Sequence, residues 1–386
     1  MKNLHHSLES KIAEDLERKM VFISGPRQIG KTTLAKKIIT HKKGKYLLYD
    51  DETDRLQILQ KNFIQESYVC LDELHKFDRW KNFLKGVYDK YKPDLHLIVT
   101  GSARLDVYQK SGDSLFGRYY LHQLHPLTLA EINKIPITLP EIKQLLTPHS
   151  PLKGLSELTR FSGFPEPFLL ASETEYLRWA DQRRHLLIKE EFRELTNIQL
   201  LSLAEQLMLI LPSRIGSLMS YTSLAEDIQV SVPTIQNWLT IFEKLFIVYK
   251  ILPYSQRITK SLKKQPKYFL WNWTECTSEG PQFENVIASH LYKAVQTWRL
   301  LGLAKTELFY VRDKLGREVD FLVTKDGEPW FLVEVKLSDE KLSPSLKYFS
   351  KHLNVPGIQL LKKEGVFEQR ENCICISANQ WLGHLI

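Results

Sequence analysis

"ISGPRQIGKTTLAKK", residues 23–37, decides the reading of this 386-residue chain. Before the glycines, Val21, Phe22 and Ile23 read as a buried strand; after them, Leu34, Ile38 and Ile39 recur with helical spacing. A strand, a glycine-rich turn and a helix in that order make a cradle for phosphate. Gly25 and Gly30 let the backbone wrap, and the new helix aims its N–H groups and positive end at an anion. Lys31 can reach the terminal phosphates and Thr32 can offer its hydroxyl to Mg2+. The expected nucleotide-binding segment is therefore Gly25, Pro26, Arg27, Gln28, Ile29, Gly30, Lys31, Thr32 and Thr33, with ATP and Mg2+ as cofactors.

Hydrolysis also needs an acid to hold the metal and a group to orient water. "SYVCLDELHK" (residues 67–76) supplies an apolar strand ending in Asp72 and Glu73, which a parallel sheet would bring to the carboxyl edge beside the phosphate loop. Asp72 is the expected metal partner with Thr32, and Glu73 the residue that polarises the attacking water. A third apolar strand, "LHLIVTGS" (95–102), ends in small polar residues, of which Ser102 is expected between Asp72 and the terminal phosphate. Arg118, flanked by glycine in a loop-like context, is the candidate for stabilising transition-state charge, in its own subunit or a neighbour's.

Together the 25–33 segment, the Asp72–Glu73 pair, Thr100-Gly101-Ser102 and residues 118–126 resemble a prokaryotic branch of AAA-type ATPases, with ORC-like P-loop proteins among its relatives. In that branch the ATPase is followed by a C-terminal region of unknown function. The similarity extends through "SGFPEPFLL" (162–170) and "FRELTNI" (192–198) to the last third of the chain. The resemblance implies ATP binding and supplies no cellular task.

The middle of the chain turns helical. Residues 133–163 carry several prolines and read as a connector; residues 174–211 read as helices of a lid over nucleotide, with Arg178, Arg183 and Arg184 as candidate phosphate sensors. Residues 221–254 read as a helix-turn-helix: Ser223 caps a first helix, residues 229–232 turn, and Pro233 opens a second helix with Ile235, Leu239, Phe242 and Leu245 on one side. Two apolar runs, 246–252 and "KYFLWNW" (267–273), would be arms of a wing. The intervening loop carries Arg257, Lys260, Lys263, Lys264 and Lys267 with no acid, as a phosphate-tracking tip would. The second helix offers Thr234, Gln236, Asn237 and Lys244 but no arginine for bidentate base reading.

From residue 281 the order is helix, three strands, helix, strand, which is similar to the PD-(D/E)xK nuclease fold. That resemblance implies a metal-binding, nuclease-like site of Glu284, Asp320, Glu334 and Lys336, as a site of cleavage or a relic that docks a partner. Glu334 and Lys336, two apart on a strand, share a face. Whether Asp320 joins them depends on the turn at "KDGEP" (325–329). A tight two-residue turn at Asp326–Gly327 would put Asp320 on the other face, whereas a three-residue loop with a Gly327 bulge would bring it to Glu334. The expectation is the three-residue loop.

The fold class expected is α/β: a P-loop AAA-type parallel-sheet domain (1–132), helical lid or connector (133–211), winged helix (212–275) and a C-terminal PD-(D/E)xK-like α/β domain (276–386). A formal charge of +8 suits a polyanionic partner, so DNA is the expected macromolecular partner. No run nears the roughly 18 apolar residues of a membrane span, and the first 17 residues lack an apolar signal core. The expectation is a cytoplasmic homo-oligomer without membrane contact. The 4 cysteines are expected as free thiols with no structural zinc, Cys373 and Cys375 sharing a strand face; His122 and His125 are expected in ordinary packing. Two functional readings follow. One is an ATPase acting on nucleic acid; the other is a nucleotide-controlled switch whose nuclease-like domain is inactive and binds a protein.

Overall fold

A computed structural model describes residues 6–101, 115–193, 201–255 and 265–385. Contacts group the chain into two compact units, residues up to 125 with 244–246, and residues 126–243 with 247–386. The four expected segments thus fall into two bodies.

In the first unit, β1 (Met20–Ser24), β2 (Lys45–Leu48), β3 (Tyr68–Asp72), β4 (His96–Thr100) and β5 (Tyr119–Gln123) form one sheet in the order β2-β3-β4-β1-β5. Every neighbouring pair is parallel. Parallel strands need crossover helices on their faces, so the central strands are apolar along their middles and polar only at their ends; β1 is buried at every position. The helices are α1 (Glu9–Leu16), α2 (Lys31–His41), α3 (Glu52–Gln60) and α4 (Trp80–Tyr91). On one face Met20, Phe22, Leu71 and Val99 meet Ile58 of α3 and Trp80, Leu84 and Val87 of α4. Val21 and Ile23 alternate with them and point to the other face, while α2 lies against β1, β3 and β4.

In the second unit, β6 (Val248–Pro253), β7 (Lys267–Leu270), β8 (Thr306–Arg312), β9 (Glu318–Lys325), β10 (Glu328–Lys336), β11 (Gly357–Leu361), β12 (Phe367–Arg370) and β13 (Cys373–Ser377) form a second sheet. Its order is β12-β13-β11-β10-β9-β8-β6-β7. The two strands expected as wing arms do pair, Val248 with Leu270, but β6 also runs parallel to β8. The sheet therefore crosses the expected boundary at residue 276 without a break. Helices Tyr221–Ile228 and Val232–Lys244 precede it, joined through Gln229 in the left-handed region. The first of them is capped by Ser220, whose hydroxyl accepts from the Ser223 amide, and not by Ser223 as the sequence suggested.

The expected lid segment belongs to this second unit. Trp298 donates its indole N–H to the Thr138 carbonyl at 2.9 Å, and Trp381 donates to Leu145 at 2.9 Å. Lys293 and Glu131, both fully buried, form an ion pair, and Lys293 also donates to the Pro126 carbonyl at 3.1 Å. Residues 126–145 are thereby tied to the long helix Glu279–Leu300 and to the chain's last helices. Cys70, Cys276, Cys373 and Cys375 are free thiols; Cys373 and Cys375 pack into one apolar cluster, as their spacing predicts. His122 is buried against Asp15, 3.0 Å away. No described helix is long and apolar enough to cross a membrane.

Candidate nucleotide site

The loop between β1 and α2 takes the geometry its glycines permit. Gly25 has φ 137° and Gly30 φ 100°, both in the region that favours glycine. A Cβ on Gly25 would lie 2.7 Å from the Leu124 carbonyl oxygen, so the loop also depends on close backbone approach. Gln28 has φ 64°, and its buried Oε1 finds no hydrogen bond among the described residues. Lys31 is buried at the first turn of α2, and its ammonium curls back to donate to the Gly25 and Pro26 carbonyls at 2.9 and 2.7 Å. A lysine held inside its own loop, with a helix N-terminus below it, is a cradle that a phosphate chain fits.

Asp72 ends β3 next to Thr100 at the end of β4, and β4 lies between β3 and β1 in the sheet. Its carboxylate is almost wholly buried and takes four donors. Thr32 donates to Oδ2 at 2.9 Å and Tyr46 of β2 to the same oxygen at 2.5 Å. The Thr100 hydroxyl and the Glu73 amide donate to Oδ1. The sequence assigns Thr32 and Asp72 to one metal; here their side chains touch directly, Thr32 from the first turn of α2 and Asp72 from the end of β3. Tyr46 was missed, because a tyrosine on a short edge strand carries no motif. Ser102, the expected residue at the β4 tip, lies outside the described residues; its neighbour Thr100 makes the contact with Asp72.

Glu73 follows in the left-handed region at φ 57°. Burial, and then the charge of Asp72, raise its carboxyl above the ordinary glutamate value, while Lys76, Lys31 and Arg27 oppose that rise. A carboxylate of raised basicity near the phosphate loop is suited to accept a proton from water.

Arg118 stands apart from this edge. Its carbonyl accepts from the Met20 amide at 3.2 Å, at the start of β1, whereas the phosphate loop leaves the end of β1. A five-residue strand separates the two edges by roughly 15 Å. The guanidinium grips Asp89 of α4 with two hydrogen bonds, 2.7 and 3.0 Å. As placed, it does not serve the phosphate loop of its own chain. Of the three candidate sensors, Arg183 is buried in the second unit over the Phe164 ring, 4.6 Å from its centre. Arg178 pairs with Glu175 on its own helix.

The last-third residues are assembled, by a route the sequence did not suggest. The turn is the tight two-residue form, Asp326 and Gly327 with φ 53° and 89° between paired Lys325 and Glu328, and not the expected three-residue loop. One pair further on, the register slips between Pro329 and Phe331. Proline cannot donate to a ladder, and the extra residue, Trp330, turns into the core against Trp298 at 5.5 Å. The slip restores what the turn would have undone: Val333 faces Phe321, which sets Asp320 beside Glu334, and the Val335 amide donates to Asp320 Oδ2 at 2.9 Å. Lys336 reaches Glu334 Oε1 at 2.9 Å.

Lys267 joins them from the first position of β7. Expected on an exposed wing tip, it is 2% exposed. Its ammonium lies 2.7 Å from Glu318, 3.6 Å from Glu284 and 3.9 Å from Asp320. Burial pulls Lys267 down, but Glu284, Asp320 and Glu318 outweigh it and hold the ammonium above the ordinary lysine value. Burial, then the charge of Asp320, pushes Glu284 up to about 8 and Glu334 up to about 7. Arg257, Lys260, Lys263 and Lys264 lie outside the described residues.

Comparison with known proteins adds three family matches. Residues 152–273 match a domain of unknown function (DUF8612), and residues 279–381 match another (DUF4143). An uncharacterized protein of Mycobacterium tuberculosis is 20% identical over 376 residues, covering 94% of this chain and 81% of that protein. One of Methanocaldococcus jannaschii is 25% identical over 335 residues, covering 73% and 69%. Among solved structures, the Aeropyrum pernix ORC1 protein in complex with DNA aligns over 72% of this chain and 91% of its own, at 12% identity and TM-score 0.35. The Thermotoga maritima RuvB Holliday junction branch migration motor aligns over 63% and 87%, at 15% identity and TM-score 0.32. Likenesses this loose do not carry over what either protein binds. The third family match, an AAA domain over residues 17–133, spans Lys31, Thr32, Asp72 and Glu73, and the first unit of this chain therefore carries an AAA-type ATPase domain.

Proposed function

We propose that the first unit binds ATP with Mg2+ and hydrolyses it. The observation that carries this reading is the meeting of Thr32 and Asp72 at 2.9 Å beside a buried Lys31. The backbone N–H groups of residues 27–33 and the Lys31 ammonium hold the phosphates. Thr32 and Asp72 hold the metal, which when bound offsets phosphate charge. Asp72 is fixed for that task by Tyr46 and Thr100, and Glu73 orients and deprotonates the attacking water. Arg118 completes the site of an adjoining copy, which makes the working form a homo-oligomer.

Hydrolysis acts on nucleic acid in this reading. The overall charge of +8 and the exposed Gln236, Asn237 and Lys244 of helix Val232–Lys244 support it. The burial of Lys267 among carboxylates removes one base from the expected phosphate-tracking tip and favours the second reading, a nucleotide-controlled switch. One experiment tests both. ATP turnover is measured for wild type and Lys31→Ala, with and without duplex DNA at two salt concentrations. The expected result is turnover stimulated by DNA at low salt and abolished in Lys31→Ala. Normal turnover in Lys31→Ala ends the site assignment, whereas DNA-indifferent turnover with nucleotide-dependent oligomer size selects the switch.

A further inference from the structure

The Glu284, Asp320 and Glu334 carboxylates stand where a nuclease-like domain would hold Mg2+, and their surroundings do not fit that ion. Asp320 gives Oδ2 to the Val335 amide and turns Oδ1 toward Lys267, Glu334 gives Oε1 to Lys336, and Glu284 turns Oε1 toward Lys267. Among the described residues, no group of three or more His, Cys, Asp or Glu side chains is placed to hold a metal.

Acids gathered in a protein interior need protons or a nearby positive charge to offset their repulsion and desolvation. Here that charge is an ammonium. Lys267 is buried, within 4 Å of Glu284 on the long helix and of Glu318 and Asp320 on β9. Arg312 holds the other oxygen of Glu318 at 2.8 Å. Gly216, at φ 73°, closes the far side of Glu284: a Cβ there would lie 2.8 Å from Oε2. The lysine's position is fixed by backbone as well as charge, since Lys267 pairs with Ile251 on one side and Leu218 on the other.

We propose that Lys267 is the resident cation of this cluster and takes the place of a divalent metal, its ammonium clasping β7 to β9 and the long helix. The proposal stands apart from the nucleotide reading, which concerns other residues. It implies a latent site: without the ammonium, Glu284 Oε1 and Glu334 Oε2, which find no hydrogen bond among the described residues, are freed with Asp320 to take a divalent ion.

The test is calorimetric titration of the nucleotide-free full-length protein with Mn2+, using Asp320→Asn to mark this cluster. Asp320→Asn is expected to leave the wild-type isotherm unchanged. Lys267→Met is expected to gain one Mn2+ per chain, at least tenfold tighter than any wild-type binding, and to lose it again in Lys267→Met/Asp320→Asn. Lys267→Arg, which keeps the charge, is expected to gain none. Mn2+ binding by wild type that Asp320→Asn removes would overturn the proposal, as would a folded Lys267→Met that gains no site. Circular dichroism reports folding, and Lys267→Gln replaces Lys267→Met if the latter does not fold. If neither folds, the wild-type and Asp320→Asn isotherms decide: identical ones support the proposal, and a lost site refutes it.

Discussion

The hydroxyl of Tyr46 is the contact on Asp72 that no motif announces. It shares Oδ2 with Thr32, so it restricts where that carboxylate can point when metal is present. A hydrogen bond to a charged acceptor contributes roughly 1.5–3 kcal/mol, and less where the side chain is partly in water, as Tyr46 is. Tyr46→Phe is expected to lower stability by about 1 kcal/mol in denaturant unfolding and to raise the Mg2+ concentration needed for half-maximal turnover. An unchanged Mg2+ dependence would reduce Tyr46 to a packing residue. At the other cluster, Glu284 and Glu334 are raised from the ordinary glutamate value of 4.5 to about 8 and about 7. The folded chain then holds protons that the unfolded chain has released, so stability is greatest below about pH 4.5 for these groups and is lost as pH rises through their folded values. Thermal midpoints are expected to fall between about pH 5 and pH 8, and Glu284→Gln should flatten the fall. A variant curve parallel to wild type would refute the assignment.

At the scale of elements, the stretch "SGFPEPFLL" owes its form to a distant partner. Ser162 takes φ 75° and donates its hydroxyl to Asn272 at 2.7 Å, and the Gly163 carbonyl accepts from the Leu127 amide at 2.7 Å. A Cβ on Gly163 would strike the Trp273 ring and lie 2.7 Å from Pro126 Cβ. Overpacking of a filled core costs about 1–3 kcal/mol. Gly163→Ala is therefore expected to lower the thermal midpoint of the protein by several degrees, roughly 2–4 °C per kcal/mol for a body of this size, without altering ATP affinity. A midpoint within experimental error of wild type would show that Trp273 moves aside freely. The β9–β10 hairpin makes a related point: turn and bulge each shift the register by one residue, and only their sum decides which side chains meet.

For the whole molecule, Arg118 connects fold to assembly. It lies at the sheet edge away from its own phosphate loop, and in the proposed reading its part in hydrolysis is played in a second copy. Arg118→Ala is expected to bind ATP as wild type does, in equilibrium titration, while turnover falls by roughly 10³-fold. Wild-type specific activity should rise with protein concentration. Full activity in Arg118→Ala, or activity independent of concentration, would remove the guanidinium from the mechanism.

The sequence by itself determined the phosphate loop and its acid. The loop, its lysine and the flanking strand and helix occupy one contiguous stretch, and each step, from apolar run to glycine to helical period, is a local preference that needs no distant residue. The order of elements in the last third was legible for the same reason. Tertiary structure alone decided that β6 and β7 continue the C-terminal sheet, that Trp330 is bulged out of register, and that Lys267 is a buried counter-charge and not a wing-tip base. Those outcomes depend on which strands pair across tens of residues and on which charges must share a dry interior. Composition along the chain does not encode either one locally.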